Sequence, residues 1–233
     1  MDRVFGRVQI IFDQTQLRYG EHSALAPLTL SLSEPRIGVI GLNGSGKTSF
    51  ARLINGLAKP TSGTVTLDGL DTVKDERAVM AKAGFIFQNP ANQIILPIIR
   101  DDIAMGPKSR GLKGPALEAA VDSVLDRFGI AHLADRRPHE LSGGELQLAA
   151  LAAVVVTEPG VILFDEPTNQ LDLKNRAMVK AAIEGLAQHA IVITHDLDLI
   201  RDYPRVLVFH EGALAFDGAG TEAVTHYVEI VGA

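Results

Sequence analysis

The sequence predicts an α/β fold in which helices wrap a mostly parallel sheet. Short β-branched runs alternate with helical stretches along the chain, which is typical of such folds. A glycine-rich loop also runs directly from a buried strand into a helix. The 233 residues are 46% hydrophobic and include no cysteine. We therefore expect one compact domain with a smaller lobe, whose core forms without disulfides or a thiolate metal site.

Short apolar runs bounded by turn residues predict the strands. They lie at residues 8–12, 28–32, 36–40, 63–69, 84–88, 161–164 and 190–194. A terminal hairpin is expected over residues 205–217, with its turn near Glu211 and Gly212.

The middle of the chain predicts a helical lobe, at about residues 89–150. Its apolar positions recur at helical spacing after Pro115, a residue suited to a helix start. They are Leu117, Val121, Val124, Leu125 and Phe128. We expect a single domain over residues 1–233, with its core formed by about 1–88 and 151–233.

Composition excludes several kinds of partner. A formal net charge of −6 provides no global basic field for nucleic acid or an anionic membrane. The start of the chain, residues 1–7, lacks the apolar run of a signal peptide. The longest apolar stretch, residues 146–156, is broken by Gln147 and is too short for a membrane span. Any membrane role is therefore expected to depend on a partner.

A phosphate-binding loop is predicted at Gly41-Leu42-Asn43-Gly44-Ser45-Gly46-Lys47-Thr48, which fits G-x-x-x-x-G-K-[ST]. Glycines allow successive N–H groups to converge on phosphate oxygens, and the following helix adds a partial positive charge. Lys47 supplies a full charge to the β- and γ-phosphates, and Thr48 offers a hydroxyl to Mg²⁺. The alternative is a glycine-rich turn that matches by chance, which the flanking strand and helix disfavour.

Two carboxylates end the apolar strand at 161–164. Buried charges are costly without partners, so Asp165 and Glu166 suggest a nearby cation. Asp165 is placed to hold Mg²⁺ through water, and Glu166 to polarise an attacking water as general base. An ordinary solvated strand end is the alternative. Gln88 and His195 also follow apolar strands, but neither is informative by itself.

The stretch Leu141-Ser142-Gly143-Gly144-Glu145 predicts a second phosphate site. Ser142 and Glu145 form a capping box before an apolar helix. The two glycines leave N–H groups open at the helix start. A plain helix cap would explain the serine and glutamate, but it would not explain the glycine pair.

From Tyr19 to His195 the sequence resembles the nucleotide-binding domains of the ABC family. The motifs follow the family order: Walker A at 41–48, the Q-loop at Gln88, the signature at 141–145, Walker B at 161–166, the D-loop at 169–172 and the switch histidine at His195. Tyr19 stands where the family has an adenine-stacking aromatic. The resemblance implies a P-loop NTPase (RecA-like) core with an antiparallel β subdomain and an inserted α-helical subdomain.

The resemblance also implies ATP and Mg²⁺ as ligands and a head-to-tail dimer with two ATPs in its interface. The implied ATP-binding residues are Tyr19, Gly41, Asn43, Gly44, Ser45, Gly46, Lys47, Thr48 and Ser49. The implied catalytic residues are Glu166, His195 and Gln88, and the implied Mg²⁺ ligands are Thr48, Gln88 and Asp165. Ser142, Gly143, Gly144 and Glu145 would meet the ATP of the other subunit, and Asp172 would lie at the dimer contact. Both half-sites are complete in one chain, which favours a homodimer.

Three segments, at residues 87–94, 101–107 and 138–144, are similar to the ATPases of energy-coupling-factor importers. That branch implies a transmembrane coupling protein, a membrane-embedded substrate-binding protein and a place at the cytoplasmic face of the membrane. In those ATPases the residue after Asn-Pro is often acidic, whereas this sequence has Ala91 and Asn92 there. Leu148 stands where a basic residue is more usual. Short chains of this kind resemble biotin-transporter ATPases, with cobalt and nickel importers the nearest alternatives.

Two other classes remain as alternatives. A soluble ABC ATPase that remodels a protein or nucleic-acid complex usually has two such domains or a long coiled coil, and this sequence has neither. A non-ABC P-loop enzyme such as a kinase would lack the signature.

Overall fold

A computed structural model of the chain describes residues 6–232. Residues 1–5, which carry most of the expectation of no signal peptide, lie outside the described residues. Contacts divide the described chain into two compact units. Unit 1 contains residues 6–84, 160–166 and 187–232, and unit 2 contains residues 85–159 and 167–186. Our proposal of a helical lobe at about 89–150 differs from unit 2, which also includes residues 167–186.

Unit 1 is built on two sheets. The antiparallel sheet has the order β2-β1-β4-β5 and consists of β1 (Ile10–Tyr19), β2 (His22–Leu32), β4 (Ser62–Leu67) and β5 (Leu70–Asp71). The second sheet consists of β3 (Arg36–Gly41), β7 (Val161–Asp165), β8 (His189–Ile193), β9 (Arg205–His210) and β10 (Ala213–Gly218), together with β6 (Ala83–Ile86), whose last two residues are assigned to unit 2. Its order is β10-β9-β3-β8-β7-β6. The helices of unit 1 are α1 (Lys47–Ile54), α2 (Glu76–Lys82), α7 (Leu197–Ile200) and α8 (Gly220–Gly232).

The central strands of the second sheet are parallel, which confirms the predicted fold class. β3 pairs with β8 and β9, and β8 also pairs with β7. All four strands are buried apolar runs, as expected for parallel strands covered on both faces. Val39 and Asp165 both pair with Ile193. The loops that leave β3, β7 and β8 therefore start at the same edge of the sheet, the edge at which α/β folds bind ligands.

Aromatic packing joins the two sheets of unit 1 through α1. The rings of Phe12 and Phe50 are stacked at 4.8 Å, and Phe209 lies 5.1 Å from Phe50 between ring centroids. All three side chains are almost fully buried. This core anchors the helix that follows the phosphate loop.

Unit 2 contains four α-helices: α3 (Ile99–Ser109), α4 (Gly114–Arg127), α5 (Gly143–Val155) and α6 (Leu173–Glu184). α4 confirms the helix predicted near Pro115. The residues of α5 between Gln147 and Ala152 are all buried, because this helix is apolar on every side. Within residues 6–232, no helix combines the length and the apolar character that a membrane span requires.

Several predicted strand boundaries are wrong, among them the start of β2, which lies at His22 rather than at Leu28. β1 continues to Tyr19 rather than ending at Phe12, because it lies between β2 and β4 and pairs with both despite its polar residues. β6 ends at Ile86, so Gln88 does not close that strand. The N–H of Phe87 instead donates to the side-chain Oε1 of Gln93, at 3.3 Å. The predicted hairpin turn at Glu211 and Gly212 is confirmed.

Candidate functional site

The phosphate loop lies between β3 and α1 in unit 1. Gly41 has a φ of +152° and Gly46 a φ of +101°. A Cβ atom on Gly41 would lie 2.2 Å from the carbonyl oxygen of Phe209, and one on Gly46 would lie 2.5 Å from that of Ala24. Neither position therefore accepts a side chain. The glycines that the motif requires are the residues that allow the loop to pack closely against its neighbours.

Lys47 is the first residue of α1 and is almost fully buried. Its ammonium donates hydrogen bonds to the carbonyl oxygens of Gly41 and Leu42, at 2.8 Å and 2.9 Å. Burial lowers the pKa of Lys47, while the carboxylates of Glu166 and Asp165 oppose that shift. The loop thus holds a desolvated cation near its start, which suits a polyanionic ligand.

The hydroxyl of Thr48, the last residue of the phosphate loop, contacts the carboxylate of Asp165 at the end of β7. Thr48 Oγ1 donates to Asp165 Oδ1 at 3.1 Å, and Asp165 is only 7% exposed. Burial raises the pKa of Asp165, although the hydrogen bond from Thr48 and the charges of Arg52 and Lys47 oppose this. Hydroxyl and carboxylate oxygens are ligands that Mg²⁺ prefers, and a divalent cation would compensate the buried carboxylate. The residues present therefore fit Mg²⁺.

Glu166 follows β7 in a left-handed conformation, with a φ of +54°. Its N–H donates to the carbonyl oxygen of Ile193 at 2.9 Å. Burial raises its pKa, although the N–H of His195 and the charge of Lys47 act in the opposite direction. A carboxylate fixed at both its backbone and its side chain, with a raised pKa, has the properties of a general base.

His195 lies between Glu166 and the phosphate loop. Its Nε2 is 3.1 Å from Glu166 Oε1 and 3.1 Å from Asn43 Oδ1. Only the contact with Asn43 has hydrogen-bonding angles, so Nε2 carries the proton in the neutral ring when it donates there. Burial and the charge of Lys47 lower the pKa of His195 and favour the neutral form.

Two further predicted residues also belong to unit 1. Tyr19 ends β1 opposite His22, and its side chain is 54% exposed. Ser49 is half-buried on α1. The structure thus brings Asn43, Lys47, Thr48, Asp165, Glu166 and His195 together in unit 1, and it leaves the side chain of Tyr19 exposed at the end of β1.

The remaining predicted residues lie in unit 2. Ser142 Oγ accepts from the N–H of Glu145 at 3.3 Å, and Glu145 Oε2 accepts from the N–H of Ser142 at 2.7 Å. This is the predicted capping box at the start of α5. The hydrogen bonds from Ser142 hold the pKa of Glu145 below its ordinary value. Gly143 is exposed and Gly144 is buried, and Gln88 lies on the surface two residues beyond β6.

Asn175 was not identified from the sequence, and it joins the predicted D-loop to the signature within unit 2. Asp172 caps α6, since its Oδ1 accepts from the N–H of Asn175 and its Oδ2 from the Nδ2, at 2.8 Å and 3.1 Å. A Cβ atom on Gly144 would lie 2.4 Å from Asn175 Oδ1. The spacing of Asp172 and Asn175 signals a helix cap. Nothing in that spacing signals the contact with Gly144.

Comparisons with known proteins agree with these motifs. A family profile described as "ABC transporter" matches residues 25–169. The chain is 60% identical to a biotin transport ATP-binding protein, BioM, of Rhizobium etli, over 96% of this chain and 99% of that protein. It is 39% identical to the energy-coupling factor transporter ATP-binding protein EcfA1 of Halalkalibacterium halodurans, over 78% of this chain and 68% of that protein.

One solved structure extends the likeness to the fold. It is cbiO1 from Clostridium perfringens, described as part of the ABC transporter complex cbiONQ. The TM-score is 0.84 and the sequence identity 28%, over 97% of this chain and 96% of that one.

Proposed function

This chain belongs to the ABC transporter family and is an ATP-binding ATPase, and we propose that it powers an energy-coupling-factor importer for a vitamin, with biotin favoured over a transition-metal ion. The observation that carries the proposal is the 60% identity with a biotin transport ATP-binding protein along nearly the whole of both chains. The FQNP segment at residues 87–90 and the complete set of ABC motifs support the same reading.

The residues of unit 1 would bind ATP and prepare the attacking water. Lys47 and the N–H groups of the loop would bind the β- and γ-phosphates, and the exposed ring of Tyr19 would stack on adenine. Thr48 and Asp165, with Gln88, would hold Mg²⁺, which neutralises phosphate charge when bound. Glu166 would accept a proton from water, and His195 would orient it and the γ-phosphate. In this role Asn43 fixes the imidazole through Nε2.

We propose a homodimer in which each ATP lies between the phosphate loop of one copy and the signature of the other. Ser142, Gly143 and Gly144 of the second copy would donate to the γ-phosphate, because the start of α5 carries open N–H groups and a partial positive charge. Asp172 would lie at the contact between copies. The cycle of binding, closure and hydrolysis would then drive the membrane partners.

The partners proposed are a transmembrane coupling protein and a membrane-embedded substrate-binding protein, which would place the chain at the cytoplasmic face of the cell membrane. An apolar segment of unit 2, residues 94–98, supports a docking role, because Ile95 and Pro97 are exposed while Ile94 is buried. Ile95 is 74% exposed. The buried carboxylate of Asp102 holds this segment, since its Oδ1 accepts from the N–H groups of Ile95 and Leu96 at 2.8 Å and 2.9 Å. An exposed apolar side chain on a segment whose backbone is fixed by a buried carboxylate is suited to a protein interface.

Affinity purification of the tagged chain from detergent-solubilised source membranes tests the proposal. We expect a polytopic coupling protein and a small membrane-embedded binding protein to co-elute. The solute bound to the second protein distinguishes biotin from cobalt or nickel. Recovery only with a soluble complex or nucleic acid would overturn the transport role but leave the ATPase.

A further inference from the structure

The terminal β-hairpin contacts the phosphate loop through its turn. The N–H of Gly212, in the turn between β9 and β10, donates to the carbonyl oxygen of Ser45 at 3.2 Å. The carbonyl oxygen of Gly212 accepts from the N–H of Ala26 at 2.7 Å. The turn therefore connects the loop to β2 through two backbone hydrogen bonds, all within unit 1.

Peptide planarity gives this contact a consequence for phosphate binding. The C=O of Ser45 and the N–H of Gly46 belong to one trans peptide unit, and in such a unit the two groups point in opposite directions. A hydrogen bond that holds the C=O towards the turn thus holds the N–H of Gly46 away from it. We infer that Gly212 is a positioning residue, which orients the Gly46 N–H towards the phosphates through the Ser45 carbonyl.

The turn requires glycine for two reasons. Glu211 and Gly212 have φ values of +48° and +78°, and they form a two-residue connection because His210 pairs with Ala213. Such turns need a left-handed conformation at both positions. A Cβ atom on Gly212 would also lie 3.3 Å from the carbonyl oxygen of Ser23, closer than most such contacts. A side chain here would displace the turn or strain it, and in either case would disturb the bond to Ser45.

The chain contains a matched control in another tight hairpin. Asp68 and Gly69 connect β4 to β5 with φ values of +50° and +78°, and Leu67 pairs with Leu70. A Cβ atom on Gly69 has no neighbour within 4 Å. Gly69→Ala therefore introduces the same backbone strain as Gly212→Ala, without a contact to the phosphate loop.

The test compares these two variants of the full chain with the wild type. Three quantities are measured: the dissociation constant for ATP with Mg²⁺ chelated, the KM and kcat for ATP hydrolysis, and the midpoint of thermal unfolding without nucleotide. We expect both variants to unfold at lower temperatures than the wild type, and Gly212→Ala at the lower of the two, because its Cβ also meets the carbonyl oxygen of Ser23. Only Gly212→Ala should raise the dissociation constant and KM, by about fivefold or more, which is the scale of one weakened charge-assisted hydrogen bond. Its kcat should change less than its KM.

Three outcomes would overturn the inference: equal loss of ATP affinity in both variants, unchanged affinity in Gly212→Ala at a lowered unfolding temperature, or a fall in kcat alone. If Gly212→Ala fails to fold, Gly212→Asn and Gly69→Asn replace the pair, because asparagine tolerates a left-handed conformation while adding the same Cβ atom. The inference depends on ATP binding and not on the transported solute. A wild-type chain that fails to bind ATP would contradict the nucleotide site itself.

Discussion

Glu166 contacts His195 through both of its carboxylate oxygens. Oε2 accepts from the backbone N–H of His195 at 3.1 Å, and Oε1 lies 3.1 Å from the imidazole Nε2. The carboxylate is mostly buried, and burial raises its pKa. A group held in this way has a fixed direction and an increased affinity for a proton, and the proposed role of Glu166 as the base depends on both properties.

Glu166→Gln should therefore retain ATP binding and lose turnover, by about a hundredfold or more, since an amide of the same shape cannot accept the proton. The variant should also accumulate as a closed dimer with ATP bound. Hydrolysis rates and size-exclusion profiles with ATP provide the measurements. Glu229→Gln, an exposed change on α8, is the control. Turnover at the wild-type rate in Glu166→Gln would exclude Glu166 as the base.

Lys47→Ala should weaken ATP binding by about tenfold or more, because it removes a charge-assisted contact with the phosphates. It also removes a positive charge that opposes the raised pKa of both Asp165 and Glu166. Equilibrium titration with ATP measures the loss. Lys59→Ala removes an exposed positive charge in the same unit and should have little effect. Unchanged affinity and rate in Lys47→Ala would contradict the assignment of the phosphate loop.

The phosphate loop could be predicted because its chemistry is local. The residues that identify it, Gly41, Gly46 and Lys47, all lie within residues 41–48. β3, β7, β8 and β9 could be predicted because strands buried on both faces are apolar throughout. β1 was predicted too short, since its polar residues are retained in the sheet by pairing with two neighbours. Such pairing is a tertiary effect that overrides local composition.

Contacts between distant segments could not be predicted. Asn175 lies against Gly144, and Gly212 against Ser45, only because separate elements pack together. Neither pair has a spacing signature in the sequence. The assignment of residues 167–186 to unit 2 could not be predicted for the same reason, because it depends on packing between α5 and α6.

Ile95→Asp should release the membrane partners and leave ATP binding by the isolated chain unchanged, because a carboxylate is costly to bury in an apolar interface. Co-elution from solubilised membranes and ATP titration measure the two effects. Met80→Asp is the matched control, since Met80 is also exposed, at 53%, but lies on α2 in unit 1. Undiminished co-elution with Ile95→Asp, or equal release by both variants, would contradict docking at residues 94–98.

An ion-pair network in unit 1 should give the chain a specific pH dependence. Arg205 donates to Asp217 at 2.7 Å and pairs with Glu34 at 3.1 Å. Burial alone would raise the pKa of Glu34, but the N–H groups of Ser33 and of Glu34 itself, together with Arg205, hold it below the ordinary 4.5. A depressed pKa means that the stabilisation is present above pH 4.5 and is lost as the pH falls through the folded-state pKa.

Glu34→Gln should therefore lower the free energy of unfolding near neutral pH, by less than about 1 kcal/mol because the pair is partly exposed and screened by solvent. The difference from wild type should shrink as the pH falls below 4.5. Urea unfolding across that range measures it, with the exposed Glu21→Gln as control. A difference that is constant with pH would show that the ionised carboxylate of Glu34 is not its source.

Gly144→Ala tests the contact between the signature and the D-loop. The added Cβ would lie 2.4 Å from Oδ1 and 2.7 Å from Cβ of Asn175, so one of the two helices must shift. Overpacking of this kind costs about 1–3 kcal/mol. Because Asn175 also bonds the Asp172 cap, the shift should reach both the start of α5 and the D-loop. We expect lower stability together with impaired ATP hydrolysis.

Removing the opposing side chain should relieve that clash. Asn175→Gly alone lowers stability through loss of its contacts with Asp172, but the double variant Gly144→Ala with Asn175→Gly should be more stable than the sum of the single effects predicts. A double-mutant cycle of unfolding free energies measures this coupling. Gly143→Ala is the control, because its Cβ meets only the flexible end of Leu171, at 3.1 Å. Strict additivity in the cycle would mean that Gly144 and Asn175 do not constrain each other, and that the signature helix and the D-loop are set independently.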